Sequence, residues 1–272
     1  MTTNSCILFR EGLSEPSEVE CARQFFPVHR YRAQIAPGSL VIPRYSALPF
    51  MDELAADVAL LGSRLVNSYE QHLYVANFDY YDDLKDVTFE TWFRLQDVPA
   101  ALRDQPLVVK GRTNSRKFDW PTHMFAKDFA AASRIAYELS KDGLIGSQGV
   151  IVRRYVPLET FELSITGLPF TNEWRIFYYQ GQRLTHGYYW GLIDDWAPVT
   201  AATPDFEASG LPFADSVAQR LVDKIPFVVI DVAKTQAGEW KVVELNDGCQ
   251  SGLNDTVDAE HLYAALQSAV PR

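Results

Sequence analysis

The chain has 272 residues, room for one large domain or two of ordinary size. With 47% apolar and 22% charged residues it reads as globular, which excludes a disordered chain. The 25 basic and 35 acidic residues leave a net charge of −10. That balance counts against a nucleic-acid partner, because affinity for phosphate backbones draws on clustered Lys and Arg.

No apolar run reaches the ~18 residues that span a bilayer, so no membrane partner is expected. The stretch Met1–Arg10 lacks the basic flank and apolar core of a secretory leader. The three cysteines, Cys6, Cys21 and Cys249, are scattered and contain no C-x-x-C pair. Neither a disulfide framework nor a Cys-based zinc site is expected, and the setting read from them is reducing and cytoplasmic.

The first strands are Ser5–Phe9 and Ser39–Ile42, the second stopped by Pro43. A helix follows from about Pro49, with Leu54, Val58, Leu61 and Leu65 on one face and Asp52 and Glu53 in its first turn. Residues 67–86 read as a polar connection rich in Tyr and Asp, and Thr88-x-x-Thr91-Trp92-Phe93 as the opening of a short helix. Pro106–Lys110 is a strand ending on a lysine, followed by the basic, polar loop Gly111–Lys117. Phe125, Phe129, Ala132, Ala136 and Leu139 mark a helix, and Gly143–Gly149 a turn region. Strands dominate afterwards, at 150–152, 174–179, 226–232 and 239–245. Helix and strand are mixed, with hairpins late, which places the chain in the α+β class with an α/β N-terminal part. A boundary is expected near residue 86.

The segment Phe227–Asn246 is the most informative. It reads as two strands joined by a two-residue turn at Ala237-Gly238. Counting outward from that turn sets Asp231 opposite Glu244, with Asn246 on the same face. Two carboxylates facing each other repel. A divalent cation such as Mg²⁺, held by one or two carboxylates and substrate phosphates, offsets that repulsion; a solvent-facing hairpin or another register is the alternative. Lys110 and the loop after it suit a phosphate by point charge and close backbone approach, although no Walker A pattern is present; a solvated basic loop has the same composition. Arg175 lies within an aromatic strand, where an unpaired charge is expensive. It pairs with Glu173, two residues away, or meets an anionic ligand.

The order of these features, strand-end lysine, hinge-like strand and acid–acid–Asn hairpin, resembles the ATP-grasp superfamily. Glu244-Leu245-Asn246 is similar to its Glu-x-Asn motif, and Asp231 to its upstream metal acid. Val41–Phe50, Asn67-Ser68-Tyr69-x-x-His72, Trp174-Arg175-Ile176-Phe177 and Val243–Leu253 further resemble the bacterial and phage clade named for a signature arginine and lysine, for which Arg44 and Lys110 are the candidates. The resemblance implies an ATP-grasp domain at 87–272, in subdomains 87–149 and 150–272, behind a preATP-grasp-like domain at 1–86. It implies an ATP-dependent ligase that joins a small-molecule or peptide carboxylate to an amine through an acyl-phosphate, releasing ADP and phosphate. A kinase or a non-catalytic nucleotide- or peptide-binding module are the alternatives. The implied cofactors are ATP and Mg²⁺, as one or two ions held by Asp231, Glu244 and Asn246. Arg175 would meet the γ-phosphate or acyl-phosphate, and Arg44 the acceptor carboxylate. Lys110, Arg112 and Lys117 would bind phosphates, Arg154, Tyr155 and Val156 the adenine, and Glu159 the ribose. Where many members carry a second phosphate-binding lysine upstream of Lys110, this chain offers only His72 and Lys85, and Arg153 stands where relatives often have an acid.

Overall fold

The computed structural model describes residues 4–191 and 196–271. Strands β1 (Ser5–Leu8), β2 (Val28–His29), β3 (Leu40–Pro43) and β4 (Arg64–Leu65) form a parallel sheet in the order β2–β1–β3–β4. Parallel neighbours need crossovers; α1 (Pro16–Ala22) and α2 (Met51–Leu60) lie on two of them. Side chains alternate between faces. Cys6, Leu8 and Val41 pack under Met51, Leu54 and Val58 of α2, while Ile7, Phe9, Leu40 and Ile42 enter a core shared with the C-terminal half. Burial on both faces is why these strands read as unbroken apolar runs. Gly62, at φ 64°, takes the left-handed position that ends α2. Leu65, expected on that helix, therefore lies in β4.

The expected connection at 67–86 folds into α3 (Tyr69–Ala76) and α4 (Tyr80–Leu84). A reciprocal cap starts α3: the Ser68 hydroxyl accepts from the Gln71 N–H, and the Gln71 side chain accepts from the Ser68 N–H. Val75, Phe78, Tyr80 and Leu84 are core residues.

β5 (Thr91–Trp92), β6 (Leu107–Gly111), β7 (Phe125–Ala126) and β8 (Val150–Arg154) make an antiparallel sheet in the order β5–β8–β6–β7. Thr91-Trp92, expected to open a helix, is its edge strand. After α5 (Trp120–His123), α6 (Phe129–Ser140) starts at Asp128, whose carboxylate caps the Ala131 N–H at 2.7 Å, and α7 (Ile145–Gln148) follows. Ala132, Ile135 and Leu139 of α6 cover Leu107, Val109 and Val152. Val108 and Lys110, offset by one residue, take the opposite face.

A small hairpin of β9 (Thr160–Leu163) and β10 (Pro169–Thr171) leads into the third large sheet. This is antiparallel, ordered β12–β11–β13–β14, from β11 (Glu173–Tyr179), β12 (Gln182–Tyr188), β13 (Phe227–Lys234) and β14 (Trp240–Asp247). Helices α8 (Ala197–Asp205) and α9 (Leu211–Arg220) precede β13, and α10 (Ala259–Ala269) ends the fold. Ile176, Tyr178, Val228 and Ile230 face Ala214, Val217 and Ala218 of α9. Phe177, Tyr179, Phe227 and Val229 face the first sheet and α10. Further along that second face come Arg175, Glu173 and Asp231. No described helix is long and apolar enough to cross a membrane.

Arg44 corrects one expectation. It does not reach a substrate: it is 4% exposed, at the end of β3, between Glu18 of α1 and the chain leaving β14. Its Nε and Nη2 donate to Glu18 Oε1 at 3.0 and 2.8 Å, and Nη1 donates to the Gly248 carbonyl. The Tyr263 hydroxyl of α10 donates to the same Glu18 oxygen at 2.6 Å. All three guanidinium nitrogens are committed to holding the first sheet against the third. Cys249 is buried beside them, and burial raises its thiol pKa well above the ordinary value, as suits a packing residue. Arg44→Met would leave Glu18 buried without its cation. A loss of about 3–5 kcal/mol of unfolding free energy is expected in a urea titration, partly recovered by Glu18→Gln in the same chain. An unchanged midpoint in Arg44→Met would show that the pair carries no stability.

Candidate active site

The hairpin of β13 and β14 has a loop one residue longer than expected. Thr235 N–H donates to the Glu239 carbonyl at 2.8 Å around Gln236–Gly238, with Gly238 at φ 86°. That loop by itself would set Asp231 opposite Val243 and turn Glu244 to the other face. A bulge at Val243 undoes the shift: Val232 pairs with Val242, and Asp231 with Glu244. The bulge is tethered by Arg153, which is buried. Its Nη1 donates to the Val243 carbonyl at 2.6 Å, and its Nη2 and Nε reach the Thr88 and Thr91 hydroxyls at 2.8 and 3.2 Å.

Asp231, Glu244 and Asn246 thus meet on one face, with Asn246 Nδ2 donating to Asp231 Oδ2 at 3.0 Å. Two cations stand on the acids. Arg175, paired across β11–β13 with Asp231, gives it a bidentate contact from Nε and Nη2 at 2.9 and 2.8 Å. Lys110 Nζ comes from the second sheet to 2.8 Å from Glu244 Oε1. The partner of Arg175 is therefore Asp231, one strand over, and not Glu173 along its own strand.

The donor chemistry suits a hard divalent cation. Asn246 spends its amide N–H on Asp231 and keeps Oδ1 free of hydrogen bonds among the described residues. Glu244 Oε1 is buried and has no partner at hydrogen-bond geometry, despite the nearby ammonium. Among the described residues no three His, Cys, Asp or Glu side chains converge, so the set is two carboxylates and an amide oxygen.

These residues lie at one end of a cleft of about 920 Å³, open at its mouth, between the Val108–Lys110 face of the second sheet and the Glu173–Arg175 face of the third. Of the residues expected to hold a nucleotide, Lys110, Lys117, Arg154, Tyr155 and Val156 line it. Arg112 and Glu159 do not. The Arg112 guanidinium lies 5.8 Å over the Phe93 ring, beside Gly149. Glu159 is fixed by its N–H on the Lys234 carbonyl at 2.8 Å, and its carboxylate accepts from Asn172 Nδ2 at 3.0 Å. His72 and Lys85 are also outside the cleft; His72 is buried against Asp247 at 3.0 Å.

Lys117 sits in an aromatic corner. Its Nζ donates to the Tyr189 hydroxyl at 3.1 Å and lies 4.6 and 5.3 Å from the Tyr189 and Trp190 ring centroids. Burial lowers its pKa. Across the corner, Glu173 lines the cleft, its Oε2 accepting from the Thr171 hydroxyl at 3.1 Å. Burial, and secondarily Asp231, push its carboxyl up to about 8. Sequence reasoning missed Glu173 and Thr171 as lining residues. The available signal was the two-residue step from Arg175, which puts Glu173 on the same strand face. Tyr189 and Trp190 line the cleft, while Tyr188 is core.

Solved structures share this fold over nearly the whole chain. D-cycloserine synthetase DcsG matches with a TM-score of 0.57 at 15% identity, covering 97% of this chain and 99% of that one. The ATP-grasp ligase PsnB, complexed with precursor peptide PsnA2 and AMPPNP, matches at 0.58 and 11% identity, covering 98% and 97%. N5-carboxyaminoimidazole synthetase from Staphylococcus aureus, complexed with ADP, matches at 0.59 and 10% identity, covering 100% and 79%. At such identities the likeness shows the fold alone. No curated protein sequence is significantly similar to the chain. The sequence profile of an ATP-grasp domain, family 3 of the clade named for its signature arginine and lysine, matches residues 95–266. That is more than half of the chain and the stretch that carries the cleft. On that match the chain belongs to family 3 of this ATP-grasp clade and is an ATP-grasp enzyme of the ATP-dependent ligase class.

Proposed function

We propose that the chain joins a carboxylate to an amine, activating the carboxylate with ATP as an acyl-phosphate and releasing ADP and phosphate. The supporting observation is the meeting of Lys110 and Arg175 with Asp231, Glu244 and Asn246 on one wall of a nucleotide-sized cleft. Residues 87–272 form the ATP-grasp part of this reading and residues 1–86 its N-terminal part. The base lies along Arg154, Tyr155 and Val156, whose backbone faces the cleft between the two sheets. Lys110 and Lys117 receive phosphates. Asp231, Glu244 and the free Oδ1 of Asn246 hold Mg²⁺, which when bound offsets phosphate charge.

In the first step a carboxylate oxygen of the substrate attacks the γ-phosphorus, the bond to the β-γ bridging oxygen breaks, and ADP leaves. An amine then attacks the acyl carbon, loses its proton, and phosphate departs. Such transfer is largely positioning and charge stabilisation. Arg175 serves it well, because its planar fork is held by Asp231 and its Nη1 is bound only at 3.4 Å, by the Gly252 carbonyl. The carboxylate is a small molecule or a peptide. The similar structures span both kinds by name, a D-cycloserine synthetase and a ligase bound to a precursor peptide.

Hydroxylamine separates the readings, since it traps an acyl-phosphate as a hydroxamate. Incubation with ATP, Mg²⁺ and a pool of amino acids and short peptides should give ADP and hydroxamate in equal amounts. ADP with a phosphorylated product and no hydroxamate would replace the ligase by a kinase, and nucleotide binding without ADP would remove catalysis. Glu244→Gln should slow ADP release on the order of 100-fold and raise the Mg²⁺ concentration required, with the melting temperature little changed. Full turnover in that variant rejects Glu244 as a ligand. Lys110→Ala should raise the Kd for ATP about tenfold, the loss of one charge-assisted contact. An unchanged Kd removes Lys110 from the site.

A further inference from the structure

The nucleotide reading above leaves the sugar without a partner. The resemblance assigns that role to Glu159, yet the Glu159 carboxylate is taken by Asn172 and lies outside the cleft. A different acid lines the cleft at the required place. Glu173 is 5% exposed and shares a strand face with Arg175, one two-residue step, about 7 Å, nearer the Tyr155–Leu158 hinge. It stands between the wall that suits the base and the cluster that suits the phosphates.

Its orientation is built. Trp190 Nε1 donates to the Thr171 hydroxyl at 3.1 Å, and that hydroxyl donates to Glu173 Oε2, also at 3.1 Å. Among the described residues Oε1 has no hydrogen-bond partner. A carboxyl oxygen left bare on a buried residue is costly, and it is an acceptor waiting for a donor. Anionic phosphates do not meet that need, and the adjacent Lys117 ammonium is directed to the Tyr189 hydroxyl instead. A vicinal diol does meet it, because each hydroxyl brings one O–H.

We infer that Glu173, oriented by Thr171, receives the ribose hydroxyls of the bound nucleotide in place of Glu159. The inference rests on the nucleotide reading, and the test separates the two. Dissociation constants are measured by calorimetry, with Mg²⁺, for ATP, 2′-deoxy-ATP, 3′-deoxy-ATP and tripolyphosphate. The wild type should prefer ATP over at least one deoxy analogue about tenfold or more, since a site built for a hydroxyl rejects the analogue lacking it. Glu173→Met, similar in volume and without acceptors, should bring the three nucleotides within about threefold of one another. Glu173→Gln, which keeps one acceptor oxygen, should retain part of the preference, and Glu159→Gln all of it. Tripolyphosphate should bind Glu173→Met no more weakly than the wild type, which confirms an intact phosphate end. An undiminished preference in Glu173→Met, or its loss in Glu159→Gln, overturns the assignment alone. A wild type that binds no ATP overturns the nucleotide reading and the assignment with it.

Discussion

The cleft depends on the register of β13 against β14. A strand slipped by one residue turns its whole side-chain set to the opposite face. Here a three-residue loop imposes one such slip and the bulge at Val243 cancels it, so Asp231, Glu244 and Asn246 end on one face. The bulge leaves Val243 outside the strand ladder, and Arg153 takes its carbonyl. A buried arginine is an expensive anchor. The cost is offset by acceptors for Nε, Nη1 and Nη2 and by the Phe89 and Phe78 rings at 4.9 and 5.5 Å from its guanidinium carbon. An arginine where relatives often carry an acid thus holds the register rather than a ligand.

The two cations on the acid pair differ in kind. Arg175 belongs to the same sheet as Asp231 and grips it with two parallel bonds, so the pair behaves as one rigid unit. Lys110 comes from the opposite sheet, a point charge on a flexible stem. Its contact with Glu244 draws the walls of the cleft together and is the one readily exchanged. A triphosphate would give Lys110 a new anion, and the Glu244 oxygen so released would serve as a metal ligand. Neither charge would be left bare in the exchange, which is where the large penalties for buried ions arise.

Much of this is legible in the sequence, though partly for the wrong reason. The facing of Asp231 and Glu244 follows there from a two-residue turn; the structure reaches the same pairing through a longer turn and a bulge. Core strands are readable because burial on both faces leaves a continuous apolar run, as in β1, β3 and β13. Helices α3 and α4 are hidden because their buried faces use Tyr80, Phe78 and His72 among acidic neighbours, a texture that mimics a loop. Arg44, Arg112 and Glu159 show the limit at the site. A sequence tells which residue occupies a position, but the partner that commits its side chain, Glu18, Phe93 or Asn172, comes from tertiary packing.

The run Glu244–Gly248 can be resolved residue by residue. Glu244 and Asn246 project to the cleft, while Leu245 between them is core. Asp247 points away from the cleft, where it accepts from Asn67 Nδ2 at 2.7 Å and the Cys249 N–H at 2.9 Å and contacts His72 Nδ1 at 3.0 Å. Asn67 in turn brackets Phe227 of β13, donating to its carbonyl at 2.6 Å and accepting from its N–H at 2.8 Å. Gly248 has no room for a side chain, since a Cβ would come within 2.6 Å of the Phe227 ring, and its carbonyl is taken by Arg44. Adding Arg153 at Val243, the strand is clamped on both sides of the two cleft-facing residues by groups from the first and second sheets. The Asn67–His72 and Arg44 segments that resemble the clade therefore need no contact with substrate to matter. They hold the end of β14 where its carboxylate and amide meet Asp231, and the rigidity of that set follows from them.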